Sequence, residues 1–358
     1  MARYEVSEFE LDGFHGFRLT DAGRKSEAHV FPQLGDNAAL FRTTPEGVPD
    51  GLPIDVIVPP ERLAELARIP FSSGIPILFA FPNRVRDGIY TFEGQTYEMR
   101  DLLSKGWDRG AGQAMHGLVD DKPWSVEQAA ANDAGAFVTC SFRAESFSLV
   151  SAQFPFPCRL VVTHRLRDGL LHLEAAVHNT GETDLPLGFG LHPWFPAAIL
   201  PGAVLPDAIP GIPRERRARS RVRIPADARW ELEHLMPTGR VLPAGDDPGK
   251  FDLREPRALG DRDYDDVFTR VLRDARGWSE AALGDPESEI ELFVSAGPGF
   301  REWVLYAPPD RAVVAIEPYS CTTDAANLAA RGIDSGLVAL PPGATWRGEV
   351  EFGLRAAL

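Results

Sequence analysis

The chain is written mostly in short apolar runs separated by turn residues. Apolar or alternating stretches occur at 14–19, 28–31, 37–42, 54–58, 75–81, 89–92, 136–142, 289–295, 302–307, 311–316 and 346–354. Runs of this length, bounded by Gly, Pro, Asn and Asp, predict strands. One pair is explicit: Leu160–Leu166 and Leu170–Val177 flank Asp168-Gly169, and Gly takes the positive φ that a tight hairpin needs. In the second of these strands Leu171, Leu173, Ala175 and Val177 fall on one face, and His172, Glu174 and His178 on the other. That alternation predicts an antiparallel strand buried on one side. Helical patterning is sparse. Pro60–Arg68 predicts one short helix with Pro near its first turn, and Trp124–Ala131 another turn or two.

Many short strands with frequent turns predict an all-β chain: a large antiparallel β-sandwich with few short helices. A length of 358 residues fits a single β domain over 1–358. Residues 200–262, rich in Pro, Arg and Asp, read as long surface loops rather than a linker, since strand-like runs lie on both sides. No repeat of fixed period occurs.

Composition narrows the function. Hydrophobic residues make up 44% and charged residues 25%, ordinary globular values. The formal charge is −15, and the densest basic run, Arg214–Arg221, reads as a solvated loop, so no nucleic-acid partner is expected. Lysine occurs only at 25, 105, 122 and 250. No apolar run is long enough to span a membrane. The charged first residues do not resemble a signal peptide, and Cys140, Cys158 and Cys321 show no metal-ligand spacing; a cytoplasmic location is expected. No dinucleotide, P-loop, nucleophile-elbow, zinc-helix or CxxC motif is present, so neither a cofactor nor a metal is expected.

What remains is polar residues set in apolar surroundings. Phe81–Gly88 carries Asn83 and Arg84, Gln113–Val119 carries His116, Gly188–Phe195 carries His192, Asp263–Thr269 carries Asp265, and Ala315–Tyr319 carries Glu317. Glu317 follows an apolar strand and is expected near its end, partly desolvated; desolvation raises a carboxyl pKa and makes it a better base near neutrality. A buried His could serve as acid, a planar guanidinium could fork onto hydroxyls, and Asp265 could bind hydroxyls. Each also has a structural reading: a satisfied core histidine, a paired carboxylate, a turn-capping Asp, a sheet-edge ion pair. Cys321, near Glu317, reads as a buried small apolar residue rather than a nucleophile. His15, His29, His164, His172, His178 and His234 read as sheet-face or loop residues.

In this order the fragments resemble the aldose 1-epimerase (galactose mutarotase-like) family. Asn83-Arg84 ahead of Gly88–Gly94 resembles its Asn-Arg segment and following hairpin, His116-Gly117 its first His-Gly, Leu191–Phe195 its second His before an aromatic, Tyr264-Asp265 its Tyr-Asp and Ile316-Glu317-Pro318 its late Glu. The likeness covers about 80–330. It implies a large β-sandwich with a cleft on one sheet, acting on a small sugar, as a monomer or homodimer. It also implies roles: Glu317 takes the anomeric proton, His192 protonates the ring oxygen, and Asn83, Arg84, His116 and Asp265 hold hydroxyls. The chain departs from the pattern at Pro193-Trp194 and at Asp266. A branch acting on hexose 6-phosphates needs basic groups, for which Arg86, expected on the same strand face as Arg84, is the candidate. A sugar-binding sandwich without catalysis, using Trp107, Trp124 and Trp194, and a lyase or glycosidase are the remaining alternatives.

Overall fold

The computed structural model describes residues 2–48, 51–99, 112–202 and 211–357, and the backbone of 107–108. Their fold is a large antiparallel β-sandwich. The first nine-stranded sheet runs, in spatial order, Ser125–Asn132, Gly135–Arg143, Cys158–Arg167, Leu170–Asn179, Thr345–Ala356, Ile290–Ala296, Ser279–Asp285, Arg221–Arg223 and Arg257–Ala258. The second runs Met236–Pro243, Ala226–Glu233, Asp265–Val271, Glu302–Tyr306, Val313–Tyr319, Leu185–Leu191 and Val338–Leu340, with Trp194–Pro196 and Ile77–Ala80 paired alongside. A five-stranded sheet begins the chain, from Tyr4–Leu11 to Ile54–Asp55. One apolar core joins all three: Phe17 and Phe41, Leu173 and Phe352, and Phe189, Trp303 and Ile316 belong to the same cluster.

The Asp168-Gly169 hairpin forms with both residues at positive φ (51° and 82°), and Arg167 pairs with Leu170. Leu171, Leu173, Ala175 and Val177 are buried, as their alternation predicts. The Gly88–Gly94 segment gives Ile89–Phe92 paired with Gln95–Glu98.

Three expectations are corrected. Trp124–Ala131 is not helical: Ser125–Asn132 is a mostly exposed outer strand paired with Gly135–Arg143 through a bulge. Its alanines favour a helix, but ladder pairing overrides that weak preference. The 200–262 region, where described, is not loop alone, since it supplies strands to both large sheets. Within it Arg214–Arg219 is a short helix, and Arg217, 2% exposed, donates to the Gly260 and Ala307 carbonyls at 2.7 Å each. The helix predicted from Pro60 covers only Leu63–Arg68, its first N–H accepted by Asp12. His164, read as a sheet-face residue, lies on the buried face of Cys158–Arg167, with Nε2 3.0 Å from Asp36. Among the described residues no helix is long and apolar enough to cross a membrane.

Candidate active site

The site is built on the second nine-stranded sheet. Along Val313–Tyr319, Val314 and Ile316 enter the main core, so Ala315, Glu317 and Tyr319 point to the opposite face. Glu317 pairs with Val304, Ala315 with Tyr306, and Tyr306 with Asp265. Directly opposed residues share a face, which sets Asp265 and Glu317 on one surface. Glu317 lies near the end of its strand, as expected, but Pro318 does not stop the strand: it pairs with Trp303 and the strand runs on to Tyr319. Glu317 is only 2% exposed.

Three segments close over this face. His192 follows Leu185–Leu191 and is held by its N–H on the Pro76 carbonyl. His116 has φ 66°, and its N–H donates to the Asn83 carbonyl at 2.7 Å. Gly117 makes this possible: a Cβ there would sit 2.2 Å from the Phe79 carbonyl oxygen, which accepts the Leu118 N–H. Arg84 pairs with Met115, and its guanidinium donates to the Asn83 side-chain carbonyl at 3.0 Å.

All six residues singled out from sequence meet here. His192 Nε2 lies 3.5 Å from Glu317 Oε1, the His116 and His192 rings are 5.1 Å apart edge to face, and Arg84 Nη2 is 3.8 Å from Asp265 Oδ2. Asn83, His116, His192 and Glu317 are buried. Asp266 turns elsewhere, toward Lys250 at 2.9 Å, so Asp265 is the aspartate that faces Arg84. Tyr319, which the sequence reading left without a role, donates its hydroxyl to Glu317 Oε2. Its position two residues after Glu317 on a strand was the signal available.

Burial sets the protonation. It raises the Glu317 carboxyl well above its ordinary value, reinforced by Asp265 and opposed by the Tyr319 hydrogen bond and Arg84. It pushes His192 down to about 3, with Arg84 adding to the effect. His116 is likewise well below its ordinary value, through burial, then His192 and Arg84. The dry site therefore favours uncharged Glu317 and uncharged His192.

Cys321 is as read from the sequence, and Arg86 is not on the face expected of it. Cys321 is buried and its thiol is pushed up to about 12, which leaves little thiolate for a nucleophile. Arg86 does not continue the strand face of Arg84: Arg86–Gly88 is a 3-10 turn, and Arg86 turns to Asp324, through its backbone N–H at 3.0 Å and its guanidinium at 3.7 Å.

The family model for aldose 1-epimerase matches residues 69–353. The chain belongs to the aldose 1-epimerase family. The match extends beyond the 80–330 read from motifs and takes in the later strands of both large sheets. Among solved structures, the fold is shared with a galactose mutarotase-like protein from Clostridium acetobutylicum (19% identity, TM-score 0.82, 99% of each chain). It is shared too with galactose 1-epimerase from Lactobacillus acidophilus NCFM (13%, 0.71, 100% of each) and the GalM/aldose epimerase homologue from C. elegans (17%, 0.71, 99% of this chain and 100% of that one). By sequence, the uncharacterized protein YihR of Escherichia coli (strain K12) is 28% identical over 121 residues, 33% of this chain and 34% of that protein. The chain thus matches about a third of that relative's length.

Proposed function

We propose that the protein interconverts the α and β anomers of a free hexose, with Glu317 and His192 exchanging protons with the sugar. The observation that carries this is the His192–Glu317 pair, 3.5 Å apart and buried opposite the Arg84–Asp265 couple. Its two pKa shifts have opposite signs, so the pair holds one proton over a wide pH range. In the dry cleft that proton rests on Glu317. A sugar brings hydroxyl dipoles to replace the lost solvation and lets the proton cross to His192, giving the carboxylate and imidazolium that ring opening uses.

Glu317 then accepts the O1 proton as C1–O1 becomes a carbonyl, the C1–O5 bond breaks, and His192 gives its proton to O5. After rotation about C1–C2, O5 attacks the other carbonyl face, returns its proton to His192, and O1 recovers one from Glu317. Asn83, Arg84, His116 and Asp265 hold the hydroxyls, and Arg84 shares charge developing on oxygen. Each proton transfer is worth ~10²–10⁴-fold. Exchange NMR on galactose and glucose tests this: the protein should accelerate anomer exchange, and no acceleration on any common aldose would overturn it.

A sugar 6-phosphate is the second reading. It is favoured by an open pocket of about 530 Å³ lined by Arg86, Arg240 and Arg331. Against it, Arg86 is turned to Asp324 and Arg240 is paired with Glu231 at 2.7 Å. A faster exchange for glucose 6-phosphate than for glucose, lost in Arg86→Ala, would favour the phosphate. Sugar binding without catalysis has less support. Trp194 stacks on His192 and gives its N–H to the Phe71 carbonyl, and Trp124 is buried, so neither offers an open face; the Trp107 side chain lies outside the described residues.

A further inference from the structure

We infer that Tyr319 is a positioning residue for Glu317: its hydroxyl fixes the carboxyl with Oε2 engaged and Oε1 presented to His192 and the substrate. The inference rests on the proposed anomer exchange for its catalytic consequence, but not for its electrostatic one.

Three independent observations hold the tyrosine in place. Its ring is fully buried and packs with Leu78, Trp230, Val267, Val304 and Leu328, a cluster separate from the main core. Gly190 is directly opposite in the ladder, and a Cβ there would lie 2.5 Å from the Tyr319 ring; the glycine makes the ring's space. The hydroxyl meets Glu317 Oε2, while the other oxygen is the one nearest His192. A carboxyl anchored at one oxygen has a single orientation for the other, and near-attack geometry of this kind is what a proton-transferring group requires.

The hydroxyl has a second effect. Donating to the carboxylate favours its charged form, opposing the burial that raises Glu317. The groups that face the pair are His192 from the 185–191 side, Arg84 and Asp265 across the cleft, and Glu302, which lies opposite Tyr319 on the neighbouring strand. Of these only Arg84, beside the tyrosine, also lowers Glu317. Removing the hydroxyl therefore moves the Glu317 titration upward. It also frees the carboxyl to rotate, which should lower kcat more than it raises KM.

The test uses Tyr319→Phe in the full chain. The Glu317 carboxyl is followed by ¹³C NMR of glutamate-labelled protein, assigned by its loss in Glu317→Gln, and anomer exchange is measured across pH. Expected are an upward shift of the Glu317 titration, an alkaline limb of the rate profile moved the same way, and a kcat loss of about 10–100-fold with KM changed less than about threefold, as for one lost aligning contact. An unshifted titration with an unchanged profile overturns the inference. If wild type shows no exchange, the functional reading fails while the titration still decides the tyrosine's role. Should the Phe variant not fold, 3-fluorotyrosine at 319, a stronger donor, must shift the titration downward; no shift is equally fatal.

Discussion

His192 Nε2 faces Glu317 Oε1 across 3.5 Å, with both side chains at most 7% exposed. Two groups that close, in a site that dry, titrate as a pair. The free enzyme's kcat/KM profile should be broad and bell-shaped. Its acid limb should fall well below pH 6.5, toward the depressed value of His192, and its alkaline limb well above pH 4.5, where burial has carried Glu317. Exchange NMR between pH 3 and 10 checks this, an acid limb at the ordinary histidine value being the contrary result. Glu317→Gln and His192→Asn should each lose about 10²–10⁴-fold in exchange rate.

Glu302 offers a stability prediction away from the chemistry. It is buried, accepts the Trp230 N–H at 3.3 Å, and its carboxyl is raised by burial to about 8. Below pH 4.5 it is protonated both folded and unfolded and contributes nothing. As pH rises from 4.5 toward 8 the unfolded chain ionises and the folded one does not, so stability falls across that window. Glu302→Gln should be close to neutral in denaturant melts at pH 4 and stabilising by a few kcal/mol at pH 8. Equal effects at both pH values would count against the buried, protonated carboxyl.

Gly117 sets the backbone that presents His116. With φ 89° and the Phe79 carbonyl oxygen 2.2 Å from any Cβ, Gly117→Ala must strain or shift the segment. A loss of about 2–4 kcal/mol in urea unfolding is expected, together with a lower exchange rate, because His116 moves with the chain. Circular dichroism melts and rate measurements on the same sample separate the two effects.

Arg84 lies between the Asn83 amide and Asp265, a setting that uses the planar shape of the guanidinium. Arg84→Lys keeps the charge but loses the fork. It should raise KM for the sugar about tenfold or more and approach the Arg84→Ala value. Full activity in the lysine variant would show that charge alone matters.

Much of this was legible in the chain. The short apolar runs mark strands because residues that alternate across a pleat must alternate in polarity when one face is buried, as Leu171–Val177 shows. The site residues stood out because a charged or titratable group among apolar neighbours needs a partner. Where reading failed, the information was not local. Ser125–Asn132 forms a strand because Gly135–Arg143 offers it a ladder, and nothing in its own alanines says so. The depth of Glu317 depends on the 302–306 strand beside it, and Pro318 disguised a strand that continues. Arg86 needed a turn at positive-φ Asp87 to leave the face of Arg84. Tyr319 was visible as the next residue on Glu317's face, but the space that admits its ring is made by Gly190, far away in sequence.

The strand Val313–Tyr319 lies between Glu302–Tyr306 and Leu185–Leu191, both of which precede it in the chain. Until it docks, its two neighbours carry open edges, and unpaired edges are where partly folded β proteins meet one another. The strand that fills the gap also brings Glu317. On the proposed function, sealing the sheet and arming the cleft are one event, and a chain halted short of it would be at once inactive and adhesive.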